Sequence, residues 1–274
     1  MSYQFHWMHR NNWPNTKKGL REMFVFLENR GIASVLLPYG PHGTDFLLHL
    51  SDIFEHTTKI RVMIALPAYG ISPEYAMKTF TTAQRWGKNR LDLNLISGNY
   101  RGEVEQQVIS NYPWNIDMID SHEKRVSLTE SWMEKFHQLL DEHKRLGIED
   151  QFKTTLYVVG ASDTTIRTAN KYADYIIVND LMLNKETLSK ITNAKLLFVI
   201  DPLILDEGQD INSVEYHEYA FTKHEKHPIK GTHEEVVKQI KSIAEEFNID
   251  EFLVHTDQKD LTKIWKLIEE LSNS

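Results

Sequence analysis

Short uninterrupted apolar runs alternate along the chain with longer stretches whose apolar residues recur at helical spacing. Tyr3 to Met8, Ala33 to Pro38, Ile60 to Leu66, Leu91 to Ile96, Thr155 to Val159, Asp174 to Val178, Lys195 to Ile200 and Glu251 to His255 read as eight strands. Between them, Lys17 to Asn29 places Leu20, Phe24 and Leu27 on one helical face and stops before Gly31. Thr44 or Asp45 can cap a helix that runs to about Glu55, and Ser72 caps the next one with Pro73 at its first position. His122 to Leu146 is a long helix, Asp163 to Tyr172 and Lys185 to Ile191 are shorter ones. Thr232 with Glu235 three residues on forms a capping box for a helix to Phe247, and Asp257 or Gln258 opens a last helix to Leu271. Ser97 to Ser121 reads as a long loop, and Asp206 to Lys230 as a polar, irregular segment over one face.

Strands that are apolar throughout and separated by helices imply a parallel sheet covered on its outer side. Repeated β/α units in a chain of 274 residues predict an α/β fold, a (β/α)8 TIM barrel forming a single domain over 1–274, since such barrels run near ~250 residues. The competing arrangement is an open Rossmann-like sheet. In a closed barrel the site lies at the C-terminal ends of the strands.

Composition narrows the partners. The formal charge of −8 argues against nucleic acid or an anionic membrane as the main partner. The absence of cysteine excludes disulfides, thiolate metal sites and cysteine nucleophiles. No apolar run is long enough to span a bilayer, and the first residues lack the basic start and apolar run of a signal peptide, so a cytoplasmic location is expected.

The strand ends carry aromatic, small and neutral hydrogen-bonding residues rather than paired carboxylates: His6 to Arg10, Pro38 to Gly43, Ala65 to Gly70, Asn94 to Tyr100 and Gly160 to Asp163. That rim suits a planar aromatic cofactor better than a hydrolytic dyad or a metal cage. Gly160-Ala161-Ser162 lies between a strand and a helix, where free N–H groups can hold a phosphate or simply form a cap. Neither a G-x-G-x-x-G fingerprint nor a P-loop is present. His224, His227 and His255 lack tight metal-ligand spacing, so no metal is expected. His49 falls inside a helix, whereas His6 and His42 sit at strand ends where proton transfer is feasible. Asp92 and Asn94 share a strand face, which puts a polar group inside the barrel.

Several segments together resemble the luciferase-like flavin monooxygenases, with the alkanesulfonate monooxygenases nearest. They are Arg30 to Gly40 (RGIASVLLPYG), Asp45-Phe46, Thr57 to Leu66 (TTKIRVMIAL), Ser72 to Ala76 (SPEYA) and Asn89 to Asn99 (NRLDLNLISGN). His122 to Arg125 (HEKR), Leu156 to Ser162 (LYVVGAS), Gly231 to Val236 (GTHEEV) and Ile249 to Phe252 (IDEF) continue the likeness in order. Each is weak alone; their number, order and spacing carry the resemblance over most of the chain.

The resemblance implies reduced flavin mononucleotide (FMN) across the barrel mouth, its phosphate around Gly160, Ala161 and Ser162, and its ring system near Asn94 and Ser97. It implies a bulge at Ala65 and Leu66 on strand three, often with a non-prolyl cis peptide, beneath the ring. It also implies a separate flavin reductase as partner, O2 as co-substrate, and a homodimer. The chain departs from the alkanesulfonate branch in several places. Val199-Ile200-Asp201 stands where that branch has Arg-x-His, Thr44 lies near its missing cysteine, and Val126 replaces an aromatic residue. The insertion after strand seven is reduced to Asp206–Lys230, and the strand-eight Tyr-x-His motif is replaced around Asp257. A sulfonate requires cationic donors, for which Arg10, Arg101 and Arg125 are the rim candidates.

The reading is therefore a two-component FMN-dependent monooxygenase acting on a small organic substrate. His42 and His6 are its candidate proton-handling groups, and Trp7, Tyr39 and Tyr100 its candidate pocket walls. The alternatives are a non-catalytic flavin-binding protein and a deazaflavin-dependent dehydrogenase on the same fold.

Overall fold

The computed structural model describes residues 3–9, 16–39, 45–97, 122–146, 153–179, 182, 184–215 and 228–274. The strands are β1 (Gln4–Met8), β2 (Ser34–Leu37), β3 (Arg61–Pro67), β4 (Leu91–Ile96), β5 (Leu156–Val159), β6 (Tyr175–Asn179) and β7 (Lys195–Ile200). Two short strands, β8 (Pro202–Ile204) and β9 (Ile229–Gly231), precede β10 (Glu251–Val254). The helices are α1 (Lys17–Glu28), α2 (Leu50–His56), α3 (Pro73–Gly87), α4 (His122–Arg145), α5 (Asp163–Tyr172), α6 (Lys185–Ser189), α7 (His233–Phe247) and α8 (Thr262–Ser272).

β1 to β7 and β10 are parallel and close into an eight-stranded barrel in which β10 lies between β1 and β7. The fold is the expected (β/α)8 barrel, not an open sheet. Closure divides each strand by parity. One set of side chains, including Phe5, Val35, Val62, Leu93, Val158, Phe198 and Phe252, packs outward under the helices. The other set, including Leu36, Met63, Ala65, Tyr157, Ile177, Leu197 and Leu253, fills the barrel.

Local signals account for the helix starts. Ser72 accepts from Tyr75 N with Pro73 following it, Asp45 caps a 3-10 turn at Phe46–His49, and Thr232 and Glu235 form the full capping box. Gly231 before that box has φ 144, and a Cβ there would come within 2.5 Å of the Glu235 carboxylate.

The structure corrects four expectations. Trp7 lies on the outer face of β1, fully buried, with its ring stacked on Trp265 at 4.7 Å. It is a core residue between barrel and helices and walls no pocket. β3 keeps an unbroken register with β4 from Val62↔Leu91 to Pro67↔Ile96, so Ala65 and Leu66 form no bulge, and no cis peptide occurs among the described residues. The segment after β7 is not wholly irregular: β8 and β9 pair in parallel from Pro202↔Ile229 to Ile204↔Gly231. The last helix begins at Thr262 rather than near Asp257, because residues 255–258 continue the buried strand end.

The start of β3 is held by a charge pair. Asp92, fully buried, accepts from Arg61 Nε at 2.7 Å and from Thr155 N at 3.0 Å, and Arg61 Nη2 also donates to it. Removing the carboxylate strands a guanidinium that is one-third exposed and a backbone N–H. Asp92→Ala is therefore expected to cost about 3 kcal/mol, toward the low end for broken buried pairs because water reaches Arg61. Urea denaturation measures it.

Candidate active site at the barrel mouth

The barrel interior is layered along its axis. At the N-terminal end, polar side chains from several strands pair with one another. Glu251 accepts from Tyr175 Oη at 2.7 Å and from His6 Nε2 at 3.1 Å, while His6 Nδ1 pairs with Ser34 Oγ at 2.7 Å. Tyr157 stacks on Tyr175 at 4.9 Å. Burial alone would raise the Glu251 carboxyl, but the hydrogen bonds from His6 and Tyr175 outweigh it and hold it below the usual carboxylate range. Burial, then the Glu251 carboxylate, push the Tyr175 hydroxyl up, so it stays a donor.

His6 is therefore corrected as well. Ser34 and Glu251 begin their strands, so their partner His6 lies toward the barrel floor, and both ring nitrogens are taken. It is a structural histidine and not a proton-transfer group of the mouth.

Above the floor the interior becomes apolar, through Leu36, Met63, Ala65, Ile177, Leu197 and Leu253 with Met8, Ile96 and Val199. Asn94 lies in this zone, one inward step above Asp92 and in register with Ala65. It is 2% exposed, and its Oδ1 has no hydrogen-bond partner. Asn179, at the C-terminal end of β6, has the same unpartnered buried Oδ1. An unpaired buried amide oxygen costs about 1–3 kcal/mol, and these two lie toward the same end of the barrel.

Where β7 and β10 end, Asp201 and His255 keep the inward parity. His255 N donates to Ile200 O at 2.8 Å, which extends the ladder, and His255 Nδ1 meets Asp201 Oδ2 at 3.2 Å. Asp257 Oδ2 lies 3.7 Å from His255 Nε2, which makes no hydrogen bond. Asp201, His255, Thr256, Asp257 and Gln258 are all buried. His255 and Asp201 are the groups that the strand-end reading did not assign. Their signal was a polar residue one step beyond Leu197–Val199 and beyond Glu251–Leu253, on the inward parity.

The turn from β5 to α5 has Gly160 at φ 127, a conformation that favours glycine. Ser162 caps α5, its Oγ accepting from Thr165 N at 3.2 Å and pairing with Thr165 Oγ1 at 2.8 Å, and Ala161 is half-buried beside it. Asp163 in the first turn pairs with Lys190 at 2.9 Å. Ser97 follows β4, partly exposed and out of phase with Asn94, and Tyr39 is exposed just past β2. His42, Tyr100, His224 and His227 lie outside the described residues. Asp52, Glu55 and His56 bring donor atoms within 4.8 Å of one another on α2, but Lys17 (3.2 Å) and Arg21 (3.8 Å) already face Asp52.

The family model of the luciferase-like monooxygenases matches residues 3–192. The chain belongs to that family. No curated protein matches it in sequence. Solved structures share the fold at low identity. One is a long-chain alkane monooxygenase (12% identity, TM-score 0.72, covering 100% of this chain and 92% of that one). Another is the EDTA monooxygenase of Chelativorans sp. BNC1 (12%, 0.70, 100% and 93%). A third is an F420-dependent secondary alcohol dehydrogenase in complex with an F420–acetone adduct (15%, 0.71, 99% and 98%). Membership makes the protein an enzyme of the luciferase-like monooxygenase type. Among the described residues no helix is long and apolar enough to cross a membrane.

The floor gives a pH prediction. Glu251 has a lower pKa folded than unfolded, so its contribution is complete above about pH 4.5 and is lost as pH falls through the folded value. Glu251→Gln is expected to flatten stability against pH in that acid window, with little change at the C-terminal end of the barrel. Acid denaturation followed by circular dichroism checks it.

Proposed function

We propose that this protein is a monooxygenase that uses reduced FMN and O2 on a small organic substrate, with the cofactor seated across the C-terminal mouth of the barrel. The observation that carries the reading is the buried, unpartnered Oδ1 of Asn94 beside the small side chain of Ala65. An acceptor in an apolar, largely enclosed barrel suits a flat heterocycle with ring N–H donors.

In this reading Asn94 Oδ1 would take a hydrogen bond from the ring system, with Ser97 at its edge. Ala65 leaves room where a larger side chain would fill the barrel. Met8, Ile96 and Val199 keep water from the reacting face. The backbone N–H groups at Gly160-Ala161-Ser162 and the first turn of α5 would hold the phosphate, with Gly160 permitting close approach. The reduced flavin supplies the electrons and the centre at which O2 is activated. A separate flavin reductase, a homodimeric assembly and a cytoplasmic location belong to the same proposal. The floor group of Glu251, His6, Tyr175 and Ser34, hydrogen-bonded among itself, takes no part.

Titration of the purified protein with oxidised and reduced FMN, followed by oxygen uptake with the reduced form, tests the proposal. Binding with oxygen consumption is expected. Tighter binding of a deazaflavin and no oxygen uptake would replace it with the dehydrogenase reading, flavin binding without turnover would make the protein a carrier, and no binding would overturn it. Asn94→Leu removes an unsatisfied amide from an apolar site. It is expected to leave stability unchanged or raised while weakening FMN about tenfold, the loss of one hydrogen bond of about 1.4 kcal/mol. Ser162→Asp should weaken FMN more strongly through charge repulsion at the phosphate. Unchanged affinity in a folded Ser162→Asp protein would reject that phosphate position.

A further inference from the structure

We infer that His255 is the catalytic proton acceptor of this site, that Asp201 is its positioning residue, and that the substrate is a neutral molecule whose reacting group carries an acidic O–H or N–H. The inference rests on the barrel-mouth reading above and deepens it.

Three observations converge. First, the chain leaving β10 buries four consecutive polar residues, His255 to Gln258, where an ordinary connection would turn to solvent. This stretch is pinned: His255 N donates to Ile200 O at 2.8 Å, Gln258 Nε2 to Pro202 O at 2.8 Å, and Gln258 N to Thr256 Oγ1 at 3.2 Å. Second, Asp201 Oδ2 at 3.2 Å takes the Nδ1 proton of His255. That fixes the neutral tautomer with its lone pair on Nε2. Third, Nε2 is buried and unpartnered, and Asp257 Oδ2 stands 3.7 Å away. A proton arriving at Nε2 would meet a nearby carboxylate that stabilises the imidazolium. His6 gives the contrast within the same barrel, since both of its nitrogens are taken.

The step is a plain proton transfer. The substrate O–H or N–H bond breaks, the Nε2–H bond forms, and the electron pair stays on the substrate oxygen or nitrogen. Two carboxylates flank the acceptor, so a sulfonate or other anion would be repelled from it, which agrees with Asp201 standing where the alkanesulfonate branch carries Arg-x-His.

The full-length protein without cofactor tests the tautomer by long-range 1H–15N spectra of the imidazoles, with His255→Gln providing assignment. Neutral His255 is expected to be protonated at Nδ1 and bare at Nε2, and Asp201→Asn is expected to lose that preference. A neutral His255 protonated at Nε2 would overturn the inference. Carbethoxylation by diethyl pyrocarbonate, read by peptide mass spectrometry, reports the reactivity that a merely structural histidine lacks. His255 is expected to react while His6 is spared, and Asp201→Asn to slow the reaction. An unreactive His255 would overturn the role. Phenol, a neutral O–H donor, is expected to protect His255, and benzenesulfonate to leave it reactive; the reverse pattern would overturn the substrate class. These readouts need no flavin, so they stand apart from any failure of FMN to bind. In a protein that does bind FMN, lack of protection by FMN would remove His255 from the cofactor site.

Discussion

A polar side chain carried into the interior of a β-barrel loses water on all sides and must find its partners among the other inward-facing residues. This requirement divides the barrel of this protein in two. At the N-terminal end it is met by Asp92 with Arg61 and Thr155 and by Glu251 with His6 and Tyr175. Toward the C-terminal end it is not met, at Asn94, Asn179 and His255 Nε2. The apolar zone of Leu36, Met63, Leu197 and Leu253 separates the two. The first half holds the barrel closed, and the second is left chemically open.

That division explains how one scaffold hosts varied chemistry. Asp92, Glu251 and His6 on the floor direct their hydrogen bonds to neighbouring strands. The strand ends, by contrast, can change polarity without disturbing the ladder. Here Asp201 and His255 extend the inward parity of β7 and β10 by one residue, and their pairing places an imidazole between two carboxylates. The small β8–β9 sheet begins directly after Asp201, at Pro202, whose carbonyl oxygen accepts from Gln258 Nε2 on the chain leaving β10 at 2.8 Å.

The fold was legible in the sequence because apolar runs, caps and helix stops each carry local physics. Thr232 with Glu235 and Ser72 with Pro73 appear in the structure as they read in the chain. The face of each strand was less legible. In β1, Phe5, His6 and Trp7 are all buried, so alternation could not show that His6 points inward and Trp7 outward onto Trp265. Nor could sequence place His6 at the floor, which depends on the stagger that sets it beside Ser34 and Glu251. The strand-three bulge was carried over from the resemblance and has no counterpart in the regular register of β3 with β4. Asp201 and His255 lie 54 residues apart, and only barrel closure brings them together. The β8 and β9 strands are three residues each, too short for periodicity to register.

In the function proposed for this protein, the unpartnered half of the interior receives the flavin. Methyl NMR of protein labelled at methionine, alanine and isoleucine tests it most directly, because Met8, Ala65, Ile96 and Ile177 report the upper interior while Ile53 and Ile268 report the outer layer beneath the helices. Ring-current shifts on adding FMN, confined to the first group and lost in Asn94→Leu, are the expected result. Shifts confined to the outer layer, or saturable FMN binding that leaves Ala65 and Met8 unmoved, would contradict the account.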